Sequence, residues 1–180
     1  MNTVLTFVGK GATQELTQAR LDRGLNSNLV RHGNRVLKYT KPGLVEREAQ
    51  MLQTAKKAGV SVPDCKVMDT NMLSIEFLPN GETLWDYVQH GKLTKELLAK
   101  VKQAVLTMWK AGIVHGDLHV NNIMISNNTV YIIDMASSFN AAVLAETFGE
   151  DDYSADIKEG IEGDRTALLK SLAEARALVA

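Results

Sequence analysis

The chain has 180 residues, of which 45% are hydrophobic and 23% charged, and its formal net charge is −1. This length and composition predict one folded domain with a sizeable core, and they argue against wholesale disorder. The interspersed charges form no basic stripe, so we expect no nucleic-acid footprint. Cys65 is the only cysteine, which excludes an internal disulfide and favours a reducing compartment.

The N-terminal residues 1–11 have no positive segment leading into an apolar stretch, so they do not resemble a signal peptide. No apolar run in the sequence approaches the roughly 20 residues that span a bilayer. We therefore expect a cytoplasmic protein that does not enter a membrane.

The first half of the chain is predicted to form strands around one helix. Helical periodicity covers residues 44–58 and ends at Gly59, with Pro63 beyond it. Four segments have the alternation or the β-branched content that is typical of strands: residues 4–8, 34–39, 66–69 and 72–78.

The second half is mostly helical in pattern. An apolar hairpin is predicted over residues 123–126 and 130–133, and Asp164 is a candidate N-cap for the last helix. The change from strands to helices falls near residue 79 and predicts two unequal lobes that share a cleft. Helical patterns cover residues 82–90, 94–110 and 164–179.

The most specific pattern is His-Gly-Asp-Leu-His-Val-Asn-Asn at residues 115–122, with Asp134 at the far end of the predicted hairpin. Phosphoryl transfer needs a carboxylate that orients the acceptor hydroxyl, and oxygen ligands for Mg²⁺ beside the phosphates. Asp117, Asn122 and Asp134 have the required side chains. A polar turn whose Asp and Asn only cap backbone groups is the alternative, but the order and spacing of the residues favour the catalytic interpretation.

This arrangement resembles the catalytic and metal-binding segments of the protein-kinase superfamily. The resemblance implies an α+β, two-lobed fold in one domain, with a β-rich N-lobe plus one helix at residues 1–78. A truncated, mainly helical C-lobe would cover residues 79–180. It also implies an ATP- and Mg²⁺-dependent phosphotransferase, with Asp117 as the catalytic carboxylate and Asn122 and Asp134 as metal ligands.

Lys38 resembles the strand lysine that holds the α- and β-phosphates, and its partner is expected to be a glutamate on the following helix. Glu48 stands three or four residues from apolar positions, so it emerges from the apolar face of that helix. A carboxylate in such a place is costly unless it is paired. Glu46 neighbours Gln50 and is predicted to be solvated. Glu48 is therefore the predicted partner of Lys38.

By the same resemblance, a glycine loop, a hinge and apolar walls complete a nucleotide cleft. Gly9 and Gly11 would let backbone N–H groups approach phosphate closely, although Gln14 replaces the family's third glycine. Backbone groups of Glu76 and Leu78 would bond the adenine edge. The other implied contacts are Glu82 to the ribose and Val8, Val36, Met124 and Ile133 as adenine walls. The alternative for these residues is a strand end, a turn and plain core.

The resemblance thins after Asp134, where Met135-Ala136 replaces the usual Phe-Gly. In its small size the chain resembles the small atypical kinases, namely the RIO group and the kinase of the KEOPS tRNA-modification complex. In such proteins an Asp on a late helix braces the catalytic loop, and here Asp164 and Asp156 are the candidates, with Asp164 preferred.

His119 stands where protein kinases carry a lysine, and the loop around it also resembles that of aminoglycoside and choline phosphotransferases. His119 is therefore included among the catalytic residues, where it would contact the transferring phosphate or the substrate. The alternative is that it holds neighbouring backbone. His115 is predicted to be architectural.

The resemblance leaves three functions open. A minimal serine/threonine protein kinase is favoured, because the order of loop, hinge and helix follows protein kinases. A small-molecule kinase and an ATPase or ATP-gated binding module in a complex are the alternatives. The acceptor, whether a protein or a small molecule, is not identified by the sequence.

Overall fold

The structure is a computed structural model, and it describes residues 28–179. The predicted strand at residues 4–8 with Val8, the loop glycines Gly9 and Gly11, and Gln14 lie outside the described residues.

The first lobe is an antiparallel sheet with one helix packed against it. The helix α1 (Leu44–Lys57) lies between the second and third strands in the chain, and the strand order is β1-β2-β4-β3. The four strands are β1 (Asn28–His32), β2 (Arg35–Tyr39), β3 (Cys65–Asp69) and β4 (Met72–Glu76).

Helix α1 begins after Gly43 and ends before Gly59, both of which have positive φ angles (85° and 82°) that favour glycine. Its buried face is apolar except for one carboxylate, that of Glu48. Because an unpaired buried charge is costly, this face requires a cation from a neighbouring element.

The second lobe is mainly helical. A hairpin supplies most of its small sheet, and the turn residues Asn127 and Asn128 adopt the positive φ angles that Asn tolerates. Its elements are β5 (Glu82–Thr83), α2 (Leu84–Gln89), α3 (Lys95–Lys110), β6 (Ile123–Ser126), β7 (Thr129–Ile132), α4 (Ala141–Phe148) and α5 (Ser154–Ala177), with short 3-10 helices at Val120–Asn122 and Met135–Ser137.

A cluster of buried apolar side chains continues from α1 and β4 into α3, β6 and β7. A hydrogen bond from Ile132 N to Ser61 O (3.0 Å) also joins the lobes. The predicted two-lobed α+β fold is therefore confirmed. Across residues 28–179, no helix combines the length and the apolar content that a bilayer crossing requires.

The start of the last helix was wrongly predicted. Helix α5 begins at Ser154, and Asp164 is a buried residue in its interior instead of its N-cap. Gly160 and Gly163 interrupt the helical pattern in the sequence. Gly160 nevertheless lies inside the helix. A Cβ at this position would lie 2.8 Å from Val114 Cγ1 and 3.0 Å from Phe139 Cζ, so the close packing of the helix on these side chains requires glycine.

Three shorter elements also differ from the prediction. Strand β1 and helix α4 were not predicted, and the helix predicted over residues 82–90 starts at Leu84. Thr83 caps that helix, because its side chain accepts a hydrogen bond from Asp86 N while Asp86 accepts one from Thr83 N. Glu82 and Thr83 pair with β6 instead.

Candidate active site

Three charged residues from strand β2, helix α1 and the turn after β7 meet where the two lobes come together. The ammonium group of Lys38, on β2, lies 2.9 Å from Glu48 Oε1 on α1 and 2.7 Å from Asp134 Oδ1, which follows β7. Lys38 and Glu48 are buried, while Asp134 is half-exposed. The predicted pairing of Lys38 with Glu48 is therefore present in the structure, and Lys38 supplies the cation that α1 requires.

The charge state of this group follows from its surroundings. Burial alone lowers the pKa of Lys38, but the neighbouring carboxylates of Glu48 and Asp134 more than offset this and raise it above its ordinary value. Burial raises the pKa of Glu48, and the Lys38 ammonium opposes that rise. Lys38 therefore remains a cation, held between two carboxylates.

Asp134 has a backbone conformation that is uncommon for a residue other than glycine. Its φ angle is 59°, in the left-handed region that Asp tolerates better than most residues. The short helix Met135–Ser137 follows directly, and Met135 is fully buried in the core. At this turn the chain passes from the half-exposed carboxylate of Asp134 to Met135, which lies in the core.

Asn122 is adjacent to this turn, because Ile133 N donates a 3.0 Å hydrogen bond to Asn122 O. The Asn122 side chain is buried, and its Nδ2 donates to Asp117 O at 2.9 Å. This bond fixes the amide so that Oδ1 is left as an acceptor. Within residues 28–179, no three His, Cys, Asp or Glu side chains form a metal cluster.

The donor set fits Mg²⁺, which is commonly held by one or two protein oxygens together with phosphate oxygens and water. Asp134 would supply a carboxylate oxygen and Asn122 the amide oxygen Oδ1. A site of this kind depends on the nucleotide to complete its coordination shell.

Asp117 and His119 lie side by side. The Asp117 side chain is 60% exposed, so an acceptor can reach it. His119 Nε2 is 3.7 Å from Asp117 Oδ2, and His119 Nδ1 accepts a 3.2 Å hydrogen bond from Asn121 N. His119 therefore holds neighbouring backbone, as one alternative expected, and also lies close to the candidate catalytic carboxylate.

His115 connects the candidate catalytic loop (residues 115–122) to the segment just before Asp134. It is fully buried, its Nε2 donates to Ile133 O (2.9 Å), and its Nδ1 accepts from Asp117 N (3.3 Å). Burial lowers the pKa of His115, which keeps Nδ1 free of a proton and able to accept that bond. The structure thus gives His115 the architectural position that was predicted.

Helix α5 braces the catalytic loop through Asp164. Its carboxylate accepts hydrogen bonds from His115 N (2.7 Å), Gly116 N (2.9 Å) and Trp109 Nε1 (3.3 Å). The other candidate, Asp156, is exposed in the first turn of the same helix. Two turns after Asp164, Ser171 Oγ accepts from Val120 N (3.2 Å), so one face of α5 holds both ends of the loop.

Gly116 must be glycine for two reasons that the sequence alone does not reveal. Its φ angle is 77°, and a Cβ at this position would lie 2.5 Å from Ser137 O. The catalytic loop therefore packs directly on the segment that follows Asp134.

The residues predicted to contact the nucleotide differ in their burial and in their backbone hydrogen bonds. Val36, Met124 and Ile133 are half-buried, as residues lining a cleft would be, and the carbonyl oxygen of Leu78 accepts a hydrogen bond from Gly81 N. Glu76 N donates to Asp64 O.

The carboxylate of Glu82, the predicted ribose contact, has partners of its own. Both of its oxygens lie 2.8 Å from Lys92 Nζ, and Oε1 lies 3.3 Å from His90 Nδ1. These contacts lower the pKa of Glu82, the hydrogen bond to Lys92 most strongly. A ribose contact from Glu82 would share the carboxylate with Lys92.

Comparison with known proteins identifies a matching domain family and several relatives of this sequence. Residues 17–152 match the RIO domain. The KEOPS complex subunit Bud32 of Pyrococcus abyssi is 35% identical over 91 residues, covering 49% of this chain and 41% of that protein. A probable serine/threonine-protein kinase, the BUD32 homolog of Archaeoglobus fulgidus, is 27% identical over 92 residues, covering 51% and 44%.

A relative with a different stated substrate matches a similar share. The 3-deoxy-D-manno-octulosonic acid kinase of Vibrio parahaemolyticus is 33% identical over 98 residues, covering 49% of this chain and 41% of that protein. The chain therefore spans less than half the length of each of these relatives.

Proposed function

The chain belongs to the RIO domain family, and from this membership and the cleft geometry we propose that it is an ATP- and Mg²⁺-dependent kinase that transfers the γ-phosphate to a hydroxyl group of a protein. The observation that carries the proposal is the contact of the Lys38 ammonium with both Glu48 and Asp134. A buried lysine that pairs with a glutamate on the following helix, and that lies beside a second carboxylate, is the arrangement with which kinases hold phosphates and Mg²⁺.

Each residue has a role that follows from its position. Lys38 binds the phosphates, and Glu48 holds Lys38 in the cleft. Asp134 and Asn122 would hold Mg²⁺, which when bound neutralises charge on the transferring phosphoryl group. Asp117 orients the acceptor hydroxyl and accepts its proton, and its exposure leaves room for that hydroxyl.

A protein acceptor is proposed first, because the Archaeoglobus relative is described as a probable serine/threonine-protein kinase. The Pyrococcus relative is a subunit of a complex, which supports a protein partner as well. A sugar-acid acceptor is the second candidate, since the Vibrio relative is a 3-deoxy-D-manno-octulosonic acid kinase. The third, an ATPase within a complex, requires ATP turnover without an acceptor.

Incubation of the purified chain with γ-labelled ATP and Mg²⁺ distinguishes these functions. One reaction contains a generic protein substrate such as casein, and another contains a panel of sugar acids that includes 3-deoxy-D-manno-octulosonic acid. Label in protein supports the first proposal, and label in a sugar acid supports the second. Release of phosphate in both reactions, with no labelled acceptor, supports an ATPase. ATP that is neither bound nor consumed contradicts the proposed function.

A further inference from the structure

Ser138 connects the first lobe to the catalytic loop. It is fully buried, and its Oγ donates a 3.1 Å hydrogen bond to His115 O. Its own carbonyl oxygen accepts a 3.3 Å bond from Arg47 Nη2, which comes from helix α1. One residue is therefore bonded both to the helix that carries Glu48 and to the loop that carries Asp117.

The Arg47 side chain is incompletely paired. It forms no ion pair with any acid in residues 28–179, and its Nε is buried without a hydrogen-bond partner. An unsatisfied buried donor destabilises a protein. Within residues 28–179, the Arg47 side chain is held by its hydrogen bond to Ser138 O.

Backbone hydrogen bonds on both sides of Ser138 connect it to neighbouring segments. Val114 and Phe139 exchange two backbone hydrogen bonds (2.9 and 3.0 Å), and Ser138 N donates to Met135 O (3.1 Å). A shift of α1 that moves Ser138 must therefore move the strand-like residues beside His115 as well.

We propose that Arg47 and Ser138 are positioning residues that couple helix α1 to the catalytic loop. At one end Arg47 is adjacent in sequence to Glu48, which holds Lys38. At the other end His115 bonds to Asp117 N and Ile133 O. The contacts that form this link are hydrogen bonds. In this protein Met135-Ala136 replaces the Phe-Gly pair of larger kinases. Its effect on catalysis rests on the proposed function, but the coupling itself does not.

Amide hydrogen exchange of the unliganded chain tests the coupling directly. In Ser138→Ala, amides of α1 are expected to exchange about three- to tenfold faster, and in Arg47→Met the same change is expected at residues 113–118. Helix α3 is the internal reference, because general destabilisation would speed its exchange too. Ser137→Ala is the matched control, since Ser137 is exposed, and it should change neither region.

The outcome that overturns the inference is exchange that rises only beside each substitution, or that rises equally in α3. Arg47→Lys provides a rescue, because one ammonium donor can still reach Ser138 O, and its exchange should resemble that of the unmodified chain.

Kinetics then separate this inference from the proposed function. With an active chain, Arg47→Met and Ser138→Ala should each lower kcat by about tenfold, and Arg47→Lys should recover most of it. An inactive chain that still shows reciprocal exchange effects would contradict the proposed function and support the coupling. An active chain whose kcat is unchanged in both variants would overturn the positioning role.

Discussion

The Lys38 ammonium lies 2.7 Å from a carboxylate oxygen of Asp134, although 96 positions separate the two residues in the chain. The contact joins strand β2 of the first lobe to the turn after β7 of the second. Since Glu48 holds the same ammonium from helix α1, the relative position of the lobes and of α1 is fixed around one cation. Under the proposed function, a bound nucleotide would meet this cation and the carboxylate together.

Replacing Lys38 by Met should reduce both stability and ATP binding. The variant leaves the fully buried Glu48 without its cation, which is expected to cost about 3 to 5 kcal/mol of unfolding free energy. Urea denaturation measures this loss, and thermal-shift titration with ATP measures the loss of binding.

The double variant Lys38→Met/Glu48→Leu separates the two effects. Replacing both members of a buried ion pair by apolar residues is often neutral or stabilising, so stability should largely return while ATP binding stays absent. A double variant no more stable than Lys38→Met would show that the unpaired charge is not the cause.

Replacing Asp164 by Asn should destabilise the chain and lower its activity. The amide nitrogen replaces one of the two carboxylate oxygens, so an N–H donor then faces the backbone N–H of either His115 or Gly116, which now donate to the carboxylate, for an expected loss of about 3 kcal/mol. Urea denaturation and phosphotransfer rate measure the two effects. Asp156→Asn is the control on the same helix, and an equal effect in both variants would refute the bracing role of Asp164.

Glycine-to-alanine changes at two positions should shift the free energy of unfolding in opposite directions. Gly116→Ala combines a positive φ angle with a 2.5 Å approach to Ser137 O, so it should destabilise the chain by about 1 to 3 kcal/mol and reduce activity. Gly163→Ala meets nothing within 4 Å in helix α5 and should stabilise it by up to about 1 kcal/mol. Thermal unfolding of both variants measures this. A harmless Gly116→Ala would contradict the close packing of the loop.

The stability of the chain should fall in acid through His115. Burial lowers the pKa of His115 in the folded chain, so below about pH 6.5 the unfolded state binds more protons and the free energy of unfolding decreases. Urea denaturation between about pH 5 and 8 measures this dependence. His115→Asn should flatten the decrease below about pH 6.5, while exposed His32→Asn should not. Identical slopes in all three proteins would contradict this assignment.

The resemblance to kinases predicted that Lys38 pairs with a glutamate on the following helix. The local pattern then selected Glu48 over Glu46, because Glu48 lies on the apolar face of that helix and needs a cation there. The α+β class followed from the change of period near residue 79. The order and spacing of His115, Asp117, Asn122 and Asp134 carried the resemblance to kinases, because they match the catalytic and metal-binding segments of that superfamily.

The remaining features depend on contacts between distant segments, which no local pattern records. The role of Ser138 arises only because α1 and the catalytic loop both reach it. Gly160 has the sequence signature of a helix breaker, yet the close approach of Val114 makes glycine necessary inside α5. For Asp164, the resemblance to small kinases predicted the bracing position, whereas the local pattern placed it wrongly at a helix start.

The central claim is that Asp117 acts on an acceptor while other residues hold the nucleotide. The measurement that tests it most directly is parallel ATP binding and phosphotransfer by Asp117→Asn. Because the side chain is exposed, stability should change by less than about 0.5 kcal/mol. ATP with Mg²⁺ should stabilise the variant as it does the unmodified chain, by about 2.7 kcal/mol at 100 times Kd, while transfer falls by about 10²- to 10⁴-fold. Phosphotransfer at an undiminished rate in Asp117→Asn would contradict the claim.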